Sequence, residues 1–293
     1  MKSKIVPHLW FSGNGQEAIG FYTSLFKESS QRDSRVLPGN ESENVKVLTF
    51  ELMNTPMMAI EAISTFQFNA SFSYYVYCGS ESEVQRLYDA LSEKGNVVFP
   101  VGDYPWSSCY AWVVDKYGLS WQLDQDDIKT EQKIVPTLMF SNQFSSSVAA
   151  YIELLKKIFP AFKLLVAAPY PVEQSPSEGA LLFAQVKIAG FVINLMSSHQ
   201  SQDFEFNEAN SLMVYCQDQD EIDYYWNCLV ENGKVQACGW LKDQFGVSWQ
   251  IVPAKLDEMI FQTDQIQLKE LTDEMLKMVK LDVGALERAM GKS

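Results

Sequence analysis

Alternating apolar positions at the start of the chain predict a β-strand over residues 5–11, with Ile5, Leu9 and Phe11 on one face. A glycine-containing turn then leads into a helix predicted over about residues 16–26, where apolar side chains recur every three or four positions. Three more strands are predicted near residues 34–37, 45–52 and 57–62. The predicted order is one strand, one helix and three strands, which we call a βαβββ unit.

A second unit follows, and the chain contains the resulting pair of units twice. Its predicted elements are a strand at 72–78, a helix at 81–94 and strands at 96–99, 110–114 and 119–123. Residues 4–12 read KIVPHLWFS, and residues 133–141 read KIVPTLMFS, 129 positions later. The closing residues 115–123, DKYGLSWQL, recur as DQFGVSWQI at 243–251. A self-match at a fixed period indicates a duplicated domain, here residues 1–127 and 132–254.

The two copies differ by one insertion. Gly118 follows Gly95 by 23 residues, whereas Gly246 follows Gly233 by 13. The ten additional residues of the first copy include residues 101–106, and we expect a loop there that Pro105 stiffens.

Past the second copy, residues 255–293 are predicted to form a helical extension. Apolar positions give one stripe over 275–281 and another over 285–290. Such a stripe needs an apolar groove to cover, either on this molecule or on a partner.

Composition narrows the classes of function. The chain has 23 basic and 37 acidic residues and a net charge of −14, which disfavours nucleic acid and anionic membranes as partners. We find no signal-peptide pattern at the start and no apolar run of roughly 18 residues, so we expect a cytoplasmic protein without a membrane span. Five cysteines without a C-x-x-C pair favour neither a disulfide framework nor a zinc knuckle.

Residues 13–18 fit the pattern G-x-G-x-x-A of a dinucleotide-binding turn, but the duplication argues against that function. The matching turn of the second copy, residues 141–144, contains no glycine. A methyltransferase would also be expected to carry a glycine-rich loop in an alternating α/β domain, and we find no other such loop.

The units and several motifs resemble the vicinal oxygen chelate superfamily, which includes glyoxalase I, bleomycin-resistance proteins and extradiol dioxygenases. The motifs are PHLWF at 7–11, FNEA at 206–209, CGWLKD at 238–243, SWQIVP at 248–253 and the tail at 275–287. They are most similar to the PhnB-like branch, whose members are often labelled demethylubiquinone methyltransferases. The resemblance implies an α+β fold with tandem glyoxalase-like domains, each of two βαβββ units forming a curved mixed sheet around a cleft, followed by the helical tail.

Strand alternation assigns residues to the core or to the cleft. The odd positions of the opening strand are identical in the two copies and predict a core face, whereas His8 and Trp10 on the other face are replaced in the second copy. Counting along the other strands, and adding the aromatic residues of the insertion, predicts one ligand-binding set in the first copy. This set is His8, Trp10, Glu61, Tyr75, Tyr77, Tyr104, Trp106 and Gln122.

The resemblance also implies positions for a metal site. The superfamily places ligands on the opening strand, late in the first unit, on the first strand of the second unit, and at a carboxylate four residues after the closing glycine. That last position holds Gln122 in the first copy and Gln250 in the second. Thr137, Ser197, Met213 and Gln250 of the second copy could not hold a metal. We therefore expect no cofactor, and a divalent metal, if one binds, would use His8, Glu61 and Gln122.

The predicted function is the binding of a small organic molecule in the cleft of the first copy. Two alternatives stay open. One is a metal-dependent lyase, isomerase or dioxygenase, and the other is a protein-interaction module that uses the helical tail. Whether the protein catalyses a reaction also stays open. The short linker predicts that the two copies pair within the chain as a pseudo-dimer, and a further homodimer stays open. The aromatic residues of the insertion have two open roles, a lid over the ligand or packing between the copies.

Overall fold

A computed structural model describes residues 3–38, 45–126, 131–171, 173, 175 and 177–291. The predicted linker between the copies therefore lies partly outside the described residues. The described chain forms four βαβββ units in sequence, as the apolar pattern predicts.

The elements of the four units are as follows. Unit 1 contains β1 (Ile5–Phe11), α1 (Gly15–Leu25), β2 (Ser30–Leu37), β3 (Val45–Leu52) and β4 (Thr55–Glu61). Unit 2 contains β5 (Phe72–Cys78), α2 (Glu81–Ser92), β6 (Asn96–Tyr104), β7 (Ser107–Val114) and β8 (Ser120–Gln125). Unit 3 contains β9 (Ile134–Phe140), α3 (Val148–Ile158), β10 (Lys163–Pro169), β11 (Leu181–Ile188) and β12 (Phe191–Ser197). Unit 4 contains β13 (Asn210–Cys216), α4 (Gln219–Val230), β14 (Lys234–Val235), β15 (Trp240–Lys242) and β16 (Ser248–Pro253).

The strands form two eight-stranded mixed sheets, and each sheet joins one unit of each copy. The first sheet has the order β14-β15-β16-β13-β1-β4-β3-β2, and the second has the order β10-β11-β12-β9-β5-β8-β7-β6. The copies meet at the antiparallel pairs β1–β13, where His8 lies opposite Ser211, and β5–β9, where Ser73 lies opposite Thr137. Exchanging the copies converts one strand order into the other, so the chain is an intramolecular pseudo-dimer. Each sheet is therefore built from both copies, and not from one copy as the sequence counting assumed.

The helices α1 to α4 pack on one face of each sheet and form the main core, and the predicted core face of β1 lies there. The carboxylate of Asp115 accepts hydrogen bonds from Tyr22 Oη at 2.6 Å and Trp121 Nε1 at 2.8 Å, linking unit 1 to unit 2. Asp243 accepts from Tyr151 and Trp249 in the same way. The two units of one copy thus share a core, although their strands belong to different sheets.

The tail consists of α5 (Leu256–Phe261), α6 (Gln265–Met275) and α7 (Val283–Ala289), and it covers the other face of the first sheet. Leu268, Leu271 and Leu286 are fully buried there, against sheet residues such as Val6 and Met213. The helical tail is confirmed, but its first predicted stripe is not a helix, because α6 ends at Met275. Residues 276–281 connect α6 to α7, and within them Leu281 is buried whereas Leu276 is 57% exposed.

The insertion of the first copy is not a loop. Its residues lengthen β6 to nine residues, and a tight turn at 105–106 joins β6 to β7 as a hairpin at the edge of the second sheet. The equivalent strands β14 and β15 have two and three residues. Backbone N–H groups of Cys238 and Gly239, just before β15, donate instead to tail carbonyls of Met278 and Val279, both at 2.8 Å. The tail thus occupies in the first sheet the place that the hairpin takes in the second.

Candidate ligand-binding site

The predicted ligand-binding residues do not converge on one cleft. His8 and Trp10 lie on the first sheet, whereas Tyr75, Tyr77 and Gln122 lie on the second. The grouping is wrong because β1 and β5, although they belong to the same copy, are in different sheets. We call the face of the first sheet under α5–α7 the tail face, and the face of the second sheet that carries Tyr75 and Gln122 the aromatic face.

His8 is buried on the tail face and is 1% exposed. Its ring contacts Trp240 edge-on at 5.4 Å, and its Nδ1 has no hydrogen-bond partner. Burial lowers the pKa of His8 to about 3, so the imidazole is neutral near neutral pH. Trp10 also packs on Trp240, at 5.7 Å, and donates its Nε1–H to the carbonyl of Ala62 at 3.3 Å. These two residues are part of the packing beneath and beside the tail.

Glu61 does not face His8, so that expectation is wrong. Met58 is the residue opposite His8 in the register of β1 and β4, whereas Glu61 is opposite Phe11, on the core face. Its Oε2 accepts the backbone N–H of Gln16 at 2.7 Å, at the start of α1. A carboxylate at a helix N-terminus is stabilised by the unpaired N–H groups and by the helix dipole. The equivalent Ser197 is likewise opposite Phe140 and bonds to the carbonyl of Ser145.

Neutral polar side chains occupy the centre of the aromatic face. Gln122 donates through Nε2 to Ser73 Oγ at 2.8 Å and accepts through Oε1 from the Tyr110 hydroxyl at 2.6 Å. Asn194 donates to Thr137 Oγ1 at 3.3 Å. The first sheet repeats the first of these pairs, with Gln250 donating to Ser211 Oγ at 2.8 Å. Each sheet thus carries an amide–hydroxyl pair where the superfamily's metal ligands are expected.

Aromatic side chains surround this polar centre. Trp112 and Tyr75 are the neighbours of Gln122 in the register, and Tyr110 and Tyr77 are the neighbours of Asp124. The Tyr75 hydroxyl donates to Asp124 Oδ2 at 2.6 Å, and the Tyr77 hydroxyl accepts from Gln185 Nε2 at 2.8 Å. Burial raises the pKa of Tyr75, Tyr77 and Tyr110, so all three hydroxyls keep their protons.

The hairpin β6–β7 forms the rim of the aromatic face. Tyr104 stacks on Trp106 with ring centroids 5.2 Å apart, and both rings contact Tyr110 edge-on. Trp106 is 58% exposed. Its recorded ring contacts are with Phe99, Tyr104 and Tyr110, all in unit 2. These contacts favour a position at the cleft rim over packing between the copies.

The residues at the expected metal positions do not fit a divalent metal. On the second sheet they are Ser73, Gln122 and Thr137, and Asn194 lies opposite Thr137 where Ser197 was expected. These four residues offer hydroxyl and amide groups and no carboxylate or imidazole. On the first sheet His8 lies near Met58 and Ser211, and Glu61 has turned to the opposite face. Within the described part of the chain, no group of three His, Cys, Asp or Glu side chains could hold a metal ion.

A cavity of about 290 Å³ lies beside the tail face, between β2–β4 and α5. Part of its polar lining is paired, since Arg32 forms an ion pair with Glu51 at 2.7 Å and the Tyr215 hydroxyl donates to Asp257 at 3.0 Å. Phe261 of α5 closes one side of this cavity. This cavity is an alternative binding site with which the aromatic face must be compared.

Several residues of the aromatic face were not predicted as ligand contacts, above all Tyr110, Trp112, Asp124, Thr137 and Asn194. Alternation along β8 places Asp124 on the cleft side together with Gln122, but the predicted ligand-binding set did not include it. Thr137 and Asn194 belong to the other copy, and only the pairing of β5 with β9 brings them to this face. The expectation of a pseudo-dimer was the one signal that pointed to them.

Comparison with known proteins agrees with the fold. The sequence model of the 3-demethylubiquinone-9 3-methyltransferase family matches residues 3–124 and again residues 132–252. A PhnB protein from Bacillus cereus is 35% identical over 42% of this chain and 100% of its own length, with a TM-score of 0.40. Glyoxalase I from Zea mays is 14% identical over 87% of this chain and 96% of its own length, with a TM-score of 0.59, which shows a shared fold. No curated protein matches this chain.

The described helices include none that is both long and apolar enough to cross a membrane. The family match covers both copies almost from end to end. The chain therefore belongs to the 3-demethylubiquinone-9 3-methyltransferase family, and it carries the family's domain twice.

Proposed function

We propose that this protein binds a small, flat organic molecule on the aromatic face of the second sheet. One observation carries the proposal: the tail covers the equivalent face of the first sheet, whereas no tail residue is among the described side chains packed on the aromatic face. The chain has thus duplicated a cleft and kept one of the two free of its own helices.

The chemistry of the aromatic face supports binding. Trp112, Tyr75 and Tyr110 offer broad aromatic surfaces, which contact flat ligands with little loss of side-chain freedom. Gln122 and Asn194 offer amide groups that can orient a ligand by hydrogen bonding. The side chains now bury one another, so a ligand enters by displacing the exposed hairpin tip at Trp106 and not by filling an open cavity.

The same chemistry argues for recognition and against metal-dependent turnover. The positions expected to hold a metal carry neutral groups that already hydrogen-bond to one another. The alternative of an interaction module loses its main support, because the buried face of the tail is used within the chain.

The test locates binding with small aromatic probes. Benzylammonium, benzyl alcohol and benzoate are titrated into the full chain and followed by saturation-transfer NMR. Two matched variants remove one half-buried aromatic ring each, Tyr104→Ala at the rim of the aromatic face and Phe261→Ala at the cavity under α5. We expect binding of at least one probe to the unaltered chain, weakened about tenfold or more in Tyr104→Ala and within about twofold of the original in Phe261→Ala. Loss of binding in Phe261→Ala alone would move the site to the cavity, and failure of every probe would refute the proposal.

A further inference from the structure

Asp124 is a buried carboxylate with one unpaired oxygen on the aromatic face. It is 6% exposed, and its Oδ2 accepts the Tyr75 hydroxyl at 2.6 Å, whereas its Oδ1 has no hydrogen-bond partner. Leaving a buried carboxylate oxygen without a donor is costly, and a donor or a positive charge that reaches it recovers this free energy. The described chain thus presents an acceptor without supplying its donor.

Asp124 forms no ion pair with a lysine or arginine in the part of the chain that the structure describes. The carbonyl of Lys133 accepts the N–H of Tyr77 at 3.0 Å, and Lys133 has a further interaction besides this one. Lys187 lies on β11, opposite Val192 in the register. Because β11 is four strands from β8, Lys187 is about 19 Å from the strand that carries Asp124.

Three tyrosines surround the carboxylate. Tyr77 and Tyr110 are its register partners on the two neighbouring strands, and Tyr75 donates to it. The ring of Tyr75 lies 5.1 Å from that of Tyr77 and 6.3 Å from that of Tyr110, between centroids. The faces of aromatic rings attract cations, and several rings around one site recognise ammonium groups. The net charge of −14 favours the approach of a cation as well.

We infer that the ligand of the aromatic face is an organic cation, a flat molecule that carries an ammonium group. An N–H of the ammonium donates to Asp124 Oδ1, and Tyr75, Tyr77 and Tyr110 enclose the charge. The flat part of the molecule contacts Trp112. This inference rests on the proposed function, because it requires the ligand to occupy the aromatic face.

The charge of the probe tests the inference. Benzylammonium, benzyl alcohol and benzoate have similar size and carry a positive, no and a negative charge near neutral pH. On the unaltered full chain, we expect benzylammonium to bind at least about tenfold more tightly than benzyl alcohol, and benzoate to bind most weakly. In Asp124→Asn, which keeps the shape and an acceptor for Tyr75, the affinity for benzylammonium should fall about tenfold, and that for benzyl alcohol should change less than about twofold.

Asp103→Asn is the matched control, because it removes the same charge from an exposed position on the hairpin. It should leave all three affinities nearly unchanged. Equal binding of benzylammonium and benzyl alcohol to the unaltered chain would refute the cation preference and leave the proposed site intact. If no probe binds the unaltered chain, the proposed function fails and the inference fails with it. The ranking of the probes on the unaltered chain decides the question even if Asp124→Asn does not fold.

Discussion

At the scale of single residues, the buried polar groups fall into two sets. In one set the hydrogen bonding is complete, and in the other one atom of the side chain has no partner. Asp115 accepts from Tyr22, Trp121 and two backbone N–H groups, and Asp243 repeats the arrangement. Both carboxylates serve the core of each copy. His8 and Asp124 each have one atom without a partner, and they lie on the tail face and on the aromatic face, respectively.

From the burial of His8 we predict that the free energy of unfolding decreases in acid. Its pKa is about 3 in the folded chain and 6.5 in an unfolded one, so the unfolded chain binds the proton first as the pH falls. The stability that neutral His8 contributes is complete above pH 6.5 and decreases toward pH 3, by about 5 kcal/mol over the whole range. Chemical denaturation of His8→Leu across this range should show a smaller loss than the unaltered chain shows. His199→Leu is the control, because His199 is exposed, and an equal loss in all three proteins would contradict the assignment.

At the scale of elements, the tail and the hairpin β6–β7 take equivalent places on the two sheets. The hairpin strands β14 and β15 of the second copy are short, and the tail carbonyls satisfy the N–H groups just before β15. Gly239 makes this approach possible, since it has φ of +81° and a Cβ there would lie 3.2 Å from the Leu281 side chain of the tail and 2.7 Å from the carbonyl of Ile251 in β16. A chain with two long hairpins would have no room for the tail at this position.

The tail is expected to contribute much of the stability of the first sheet. Leu271 of α6 is fully buried against the tail face, so Leu271→Ala should lower the free energy of unfolding by about 2–5 kcal/mol. Leu276, just past the end of α6, is 57% exposed, and Leu276→Ala should change it by less than about 0.5 kcal/mol. Urea denaturation of the two variants measures the difference. Equal effects would mean that the tail does not pack on the sheet in solution.

A separate prediction concerns Trp106 at the hairpin tip, which we expect to act as a lid over the ligand. Trp106 is 58% exposed, so Trp106→Ala should leave the melting temperature nearly unchanged while abolishing the ligand-induced change in tryptophan fluorescence. Trp112→Ala is the comparison, because Trp112 is buried and donates to Ser120 Oγ at 2.8 Å, and its loss should cost about 3–5 kcal/mol of stability. A large loss of stability in Trp106→Ala with the ligand response intact would assign the tip a structural role.

At the scale of the whole molecule, the two copies are joined by sheets and not only by the linker. The pairs β1–β13 and β5–β9 lie in the middle of the two sheets, with three strands on either side of each pair. Separating the copies would break both central strand pairs. It would expose the backbone edges of β1, β13, β5 and β9 and the apolar side chains beside them, which is unfavourable in water.

Cleavage of the linker tests this arrangement. A specific protease site introduced within residues 127–130 divides the chain into its two copies. We expect the two fragments to stay together on a sizing column under native conditions and to separate only in denaturant, because the strand pairing does not depend on the linker. Fragments that separate without denaturant would contradict the pseudo-dimer, and the uncleaved chain with the same insertion is the control.

The sequence by itself determined the duplication, the four βαβββ units and the two faces of strands such as β1 and β8. These features follow from a self-match and from a period of two, both of which are local properties of the chain. The tertiary structure decided which unit pairs with which, because β1 and β9 carry the same core face and alternation does not specify a partner strand. It also turned Glu61 toward α1, placed the tail on the first sheet, and brought Ser73 of one copy opposite Thr137 of the other. Those positions depend on contacts between residues far apart in the chain, which no local pattern encodes.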